Sequence, residues 1–271
     1  MREVKMIIDF HTHAFPDSLA PRAIPALAES SSLTPNHDGT ICGLTKALDE
    51  SGVEKAVVLS IATKPHQENS VNTFAISLLE NPRIIPFGSV FPGSDTWREQ
   101  LARLRDAGIK GIKLHPEYQG FFIDSDDAMP IYEECGKLGL IVTFHAGADA
   151  AFPPPVHASP ERLSFVCSSF PSTTFTAAHF GGYGIWDEVA SKLKGHDNLY
   201  IDTSMTQTAD RIERETALRI LKTHGTEHIL FGSDSPWEKQ SDSMRFVRSF
   251  GLSDSDEELI FSKNAKRILN I

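Results

Sequence analysis

Eight short apolar runs, rich in β-branched residues, punctuate the chain at 6–10, 56–61, 84–90, 111–114, 140–144, 173–178, 199–203 and 229–232. Continuous apolar runs of this length suit strands buried on both faces. Helical patterns separate them, among them TWREQLARLRDAGI, DAMPIYEECGKLGL, IWDEVASKLKG and ADRIERETALRILKTHG. Gly108, Gly139, Gly195 and Gly225 stand where a left-handed residue would close each helix. After a first interval of about 50 residues, the run ends recur about every 30, the length of one strand–helix unit. Alternation repeated eight times predicts an α/β fold, a (β/α)₈ TIM barrel. Such a barrel uses about 250 residues as one domain, so residues 1–271 read as a single domain.

Composition narrows the partners. Hydrophobic residues make up 40% of the chain, enough for a full core, and 26 Lys+Arg against 36 Asp+Glu leave a net charge of −10. That charge repels polyanions and argues against nucleic acid and anionic membrane surfaces as partners. No apolar run approaches the roughly 20 residues of a membrane span. The opening MREVKMIIDF lacks the apolar stretch of a signal peptide and reads as the first strand. Cys42, Cys135 and Cys167 are odd in number and form no CxxC, as expected of buried thiols in a reducing cytoplasm. The expected partner is a small-molecule substrate, and a homo-oligomer is compatible with the sequence.

Polar residues gather at the strand ends. His11 and His13 follow the first run, His115 the fourth, His145 the fifth and His179 the sixth, and Asp234 ends the eighth. In a parallel barrel these ends meet at one mouth, the C-terminal face where active sites sit. In DFHTH, regular alternation would put Asp9, His11 and His13 on one face, and an HxH pair can chelate one divalent cation. Asp234, a carboxylate at the end of a buried strand, is costly unless paired or metal-bound. The Pro-, Ser- and Ala-rich stretch 16–39 and the Pro-rich loop 152–160 belong to the same face, and the first reads as a partial lid. His37, His66, His157, His196, His224 and His228 read as solvated, with His157 the one placed to reach the mouth.

The set DFHTH, GIKLHP, TFHAG, AHFGG, LYIDTS, LFGSDSPW and KNAKRIL, spread over essentially the whole chain, resembles the amidohydrolase superfamily. The likeness is to its amidohydrolase-2 branch, which includes hydrolases and the aminocarboxymuconate-semialdehyde and resorcylate types of decarboxylase. The resemblance implies one divalent metal, usually Zn²⁺, held by His11, His13, His145 and Asp234. It also implies that His179 contacts a metal or polarises the substrate. Zn²⁺ lowers the pKa of a coordinated water to about 7. Asp234 would then take the water's proton and pass it to the leaving group, with His179 as the second catalytic residue.

The fourth strand leaves two readings open. Lys113 and His115 both face the interior if the strand is regular. IKLHP looks like the dihydroorotase version of this strand, in which a carbamylated lysine bridges two metals. The reading favoured here is a free Lys113 ammonium that binds an anionic substrate, with His115 as a substrate contact. Asp202, Ser204 and Asp149 are candidates for substrate contact or for support of the ligands, and Trp237 for a pocket wall or the core.

Four functions compete. The leading one is metal-dependent hydrolysis of a C–N, C–O or lactone bond in a small molecule. The alternative is nonoxidative decarboxylation of an aromatic or unsaturated carboxylic acid, for which an arginine at the mouth would speak; Arg22 is the candidate. A TatD-like nuclease would carry a glutamate where Lys113 and His115 stand. A barrel that had lost catalysis would be missing ligands, and none of the core set is missing.

Overall fold

The computed structural model describes residues 6–205 and 211–271. Its strands are β1 (Ile8–Thr12), β2 (Lys55–Leu59), β3 (Ile84–Phe87), β4 (Gly111–Leu114), β5 (Ile141–Phe144), β6 (Phe175–Ala177), β7 (Leu199–Asp202) and β8 (Ile229–Leu230). Every pairing is parallel, in two arcs ordered β1-β2-β3 and β4-β5-β6-β7-β8. Backbone hydrogen bonds join the arcs at both seams. Gly88 N–H bonds Gly111 O and Lys113 N–H bonds Gly88 O. Across the other seam, Phe10 N–H bonds Phe231 O and Asp234 N–H bonds His11 O. The strands therefore follow one another around a ring in chain order, as the repeated alternation predicts.

Alternation along the strands separates two apolar layers. Val58, Ile112, Val142, Phe144, Phe175 and Ile201 pack outward against the helices. Ile8, Phe10, Val57, Leu59, Phe87, Ile141, Tyr200 and Leu230 fill the interior, with Ala265 and Leu269 of the C-terminal helix. Lys113, Thr143, Thr176 and Asp202 alternate with the outward residues and are buried as well. The mouth end of the barrel is thus polar and the opposite end apolar.

The helix patterns appear as Trp97–Ala107, Met129–Leu138, Trp186–Lys192 and Arg214–His224. Gly108, Gly139 and Gly225 close three of them with positive φ, whereas Leu193, not Gly195, ends the helix Trp186–Lys192. The start of the ADRIERETALRILKTHG pattern lies outside the described residues. The stretch 16–39 holds a helix, Ala20–Ser31, and then leans on the turn after β8. There Asn36 donates its backbone and side-chain N–H groups to Pro236 O at 2.7 and 3.1 Å. Among the described residues no helix is long and apolar enough to cross a membrane.

Candidate metal centre

β1 and the turn after β8 bring three ligand-type side chains together. Nε2 of His11 lies 3.2 Å from Nε2 of His13. Oδ1 of Asp234 lies 3.1 Å from the first nitrogen and 3.0 Å from the second. The regular alternation expected through DFHTH does not hold, because the β1–β2 register shifts between Asp9 and Thr12. Asp9 turns instead to Ser233. Asp234 takes a left-handed backbone, φ 66°, and His179 another, φ 59°. Non-glycine residues at positive φ are uncommon and cluster at functional sites. Gly232 permits a close approach beneath the trio, since a Cβ there would lie 2.9 Å from His11 Cβ.

The protons show what the trio is built to hold. Nδ1 of His11 lies 2.8 Å from Oδ2 of Asp202, a carboxylate that only accepts, so Nδ1 carries a hydrogen and, in the neutral ring, Nε2 a lone pair. Nδ1 of His13 donates to Leu59 O at 3.0 Å, with the same result. With both imidazoles neutral, two nitrogen lone pairs and a carboxylate oxygen converge. Oδ1 of Asp234 is buried and has no hydrogen-bond donor. Ligands about 2.0–2.1 Å from one tetrahedral cation lie about 3.3 Å apart, close to the spacings here. The residues fit a divalent cation, and the carboxylate–imidazole pair Asp202–His11 is a common support for a metal ligand.

A second cluster looks similar in composition but is satisfied internally. His115, His145 and Asp149 also group within ligand distance. Nε2 of His145 donates to Ala148 O at 2.9 Å, and Nε2 of His115 faces Asp149 Oδ2 at 3.4 Å. Here hydrogens meet acceptors, and the two imidazoles stack at 4.2 Å. His145, implied by the resemblance as the fourth ligand, is thus not among the trio. Its Nδ1 lies 3.0 Å from Nε2 of His179, whose Nδ1 lies 2.9 Å from Ser204 Oγ. Ser204 also donates to Asp202, which completes a hydrogen-bonded path back to His11.

Charge follows the geometry. Burial opposes ionisation of Asp234 and Asp202, but His11 beside both holds each carboxyl well below its usual range. Burial and the neighbouring His145 keep His179 neutral, and burial and His115 push His145 down to about 4. For His11, burial and Lys113 lower the pKa, yet Asp202 and Asp234 outweigh them and it is raised. Lys113 is 1% exposed and its Nζ has no hydrogen-bond partner. Burial pushes its pKa down to about 8, against the fields of Asp202 and Asp234. It is the only buried lysine or arginine among the described residues.

The lesser candidates divide. Arg22 is exposed on the helix Ala20–Ser31. Trp237 is half-buried, and its backbone N–H bonds Asp234 O. His66 is exposed, as expected. His37 is not simply solvated: its Nε2 lies 3.1 Å from Ser235 Oγ, beside Asp234. His224 is also half-buried and donates to Leu199 O. His157 donates Nδ1–H to Pro116 O and packs on Phe122, behind the β4 end. Sequence reasoning passed over Glu117, a buried carboxylate whose Oε2 is 3.9 Å from Nδ1 of His115. Its only signal was its place directly after KLHP. The Leu59 and Ala148 carbonyls, which orient two imidazoles, left no signal at all.

Comparison with known proteins bears on the fold and the family. No curated protein matches the chain. An uncharacterised TIM-barrel protein from Bordetella bronchiseptica superposes with a TM-score of 0.79 at 18% identity, covering 98% of each chain. A 5-carboxyvanillate decarboxylase from Novosphingobium aromaticivorans, solved with bound manganese, gives 0.73 at 12%, covering 99% of this chain and 98% of that one. A putative 2-pyrone-4,6-dicarboxylic acid hydrolase from Pseudomonas putida gives 0.69 at 17%, covering 98% and 97%. At these identities the likeness shows the barrel fold alone. The amidohydrolase family model matches residues 8–271, nearly the whole chain, and with the strand-end histidines and aspartate in place the protein belongs to the amidohydrolase family.

Proposed function

We propose that the protein is a metal-dependent hydrolase that cleaves a C–N, C–O or lactone bond in a small, anionic molecule. The observation that carries this reading is the convergence of the lone pairs of His11 Nε2, His13 Nε2 and Asp234 Oδ1. A bound divalent cation, Zn²⁺ by the imidazole and carboxylate donors, supplies Lewis acidity there. His145 belongs to the proposed ligand set through the resemblance alone, and His179 stands between it and Ser204.

The chain's own groups divide the remaining work. Asp234 is ionised and accepts the proton of the attacking water, then returns it to the leaving group. His179, neutral and held between Ser204 at Nδ1 and His145 at Nε2, polarises the substrate as charge develops on it. Lys113, buried without a partner, binds the substrate's anionic group, with His115 at the rim beside it. An ammonium buried without a hydrogen-bond acceptor is costly, and an anionic ligand removes that cost. The proposal is one metal per chain and an uncarbamylated lysine. A small-molecule substrate and a cytoplasmic setting accompany it, supported by the three free cysteines.

Lys113 also favours a second reading, nonoxidative decarboxylation of an aromatic or unsaturated acid. A carboxylate held by Lys113 beside the same cation site is the group such a reaction would release as CO₂, and Asp234, after taking a proton from water, would deliver the proton that replaces it. The 5-carboxyvanillate decarboxylase named above shares the fold. One experiment separates the two: metal-loaded protein incubated with panels of carboxylated lactones, amides and aromatic acids, read for CO₂ and for hydrolysis products. CO₂ release without hydrolysis would replace the first reading by the second. Full turnover by metal-free protein would sink both.

A further inference from the structure

The first residue of the DFHTH motif has no part in the chemistry above, yet it is fully buried. Oδ1 of Asp9 accepts the backbone N–H groups of Ser233 at 2.9 Å and His11 at 3.2 Å. Oδ2 accepts the Ser233 hydroxyl at 2.5 Å. That hydroxyl in turn accepts the N–H of Ser235 at 3.1 Å. Asp234 lies between these two serines, and its backbone is left-handed. A single carboxylate therefore ties the residue that carries the first imidazole to both neighbours of Asp234.

This arrangement matters because the three ligand atoms come from separate segments. His11 rides on β1 and His13 directly follows it, next to a register shift that leaves the strand end irregular. Asp234 rides on a turn after the two-residue strand β8. Between the two segments run the backbone bonds Asp234 N–H to His11 O, 2.8 Å, and His13 N–H to Ser235 O, 2.7 Å. Those bonds set the spacing of the chains. The Asp9–Ser233 link adds a buried side-chain strut on one side of Asp234, and the Ser233–Ser235 bond extends it to the other.

We propose that Asp9 is a positioning residue for the metal centre. It acts through Ser233 to hold Asp234 at the distance from His11 and His13 that a cation requires. The inference rests on the metal reading given above. Glu68 provides a matched comparison, because it too is a buried carboxylate accepting three donors, from Phe91 N–H, Ser94 Oγ and Thr96 Oγ1. It binds the loop after β3 and touches none of the trio.

The test is titration with Co²⁺ followed by visible absorption, on the wild-type chain and on Asp9→Ala, Ser233→Ala, the double variant and Glu68→Ala. Asp9→Ala and Ser233→Ala are each expected to weaken Co²⁺ binding about 10–100-fold and to shift its absorption bands as the Asp234 oxygen moves. The double variant should bind about as weakly as Asp9→Ala alone, since both act through one link. Glu68→Ala should lower stability and leave the affinity and bands those of the wild type. Wild-type affinity in both single variants overturns the proposal. So does loss of Co²⁺ by Glu68→Ala equal to that by Asp9→Ala, or fold-changes that multiply in the double variant. If Asp9→Ala does not accumulate folded, Ser233→Ala against Glu68→Ala decides by the same readout. A wild-type chain that takes up no Co²⁺ overturns the metal reading and this one together.

Discussion

Nδ1 of His11 and Oδ2 of Asp202 lie 2.8 Å apart, though the two residues are 191 positions apart in sequence. The contact fixes the tautomer of the imidazole. With the hydrogen on Nδ1, the lone pair on Nε2 is turned toward His13 and Asp234. Asp202 also accepts the His179 backbone N–H, so one carboxylate holds both the His11 ring and the backbone of His179.

Asp202→Asn should weaken this arrangement without removing its bulk. An amide nitrogen facing Nδ1 moves the hydrogen of His11 to Nε2, where it points into the trio. Metal affinity, measured by competition with a chelator, should fall about 10–100-fold. Unchanged affinity would show that the tautomer is not set by Asp202.

Asp234→Asn and His179→Asn should part company. The first removes a ligand charge and the proton acceptor, and turnover should fall by on the order of 10²–10⁴ with loss of metal. The second should lower turnover while metal content, measured by elemental analysis, stays near one per chain. A metal-free His179→Asn protein would make His179 a ligand and reverse its assigned role.

Lys113→Ala should raise KM for carboxylated substrates and leave metal content at one per chain. Loss of an unpaired buried ammonium also relieves an unfavourable charge, so thermal stability without substrate should hold or rise. Two metals per wild-type chain, together with extra mass on the Lys113 amine, would replace the free ammonium by a carbamate.

Acid should destabilise the fold partly through His224. Burial lowers its pKa to about 4 in the folded protein, while it donates to Leu199 O. The unfolded imidazole titrates near 6.5. Below that value the unfolded chain takes up the proton first, so stability present above pH 6.5 is lost as pH falls toward 4. Urea denaturation of His224→Gln at equal metal loading should show a smaller drop in midpoint between pH 7 and 5 than the wild type. An identical drop would remove His224 from the account.

The order of strands and helices, the strand ends that form the mouth, and the residue types gathered there were all legible in the sequence. Each follows from local pattern, namely apolar runs, helical periodicity and polar residues placed just past a strand. HxH pointed to a cation because both imidazoles are neighbours in the chain. What each imidazole does once there was decided only by tertiary structure. His13 is oriented by the Leu59 carbonyl of β2, His11 by Asp202 of β7, and His145 by the Ala148 carbonyl, which turns its Nε2 away from the trio. An imidazole has two nitrogens and one hydrogen when neutral, and a distant partner selects which nitrogen keeps it. Asp9 shows the same division. Its spacing suggested a shared face with His11 and His13, but a register shift in β1 and a hydroxyl from beyond β8 took it out of the site and made it a support.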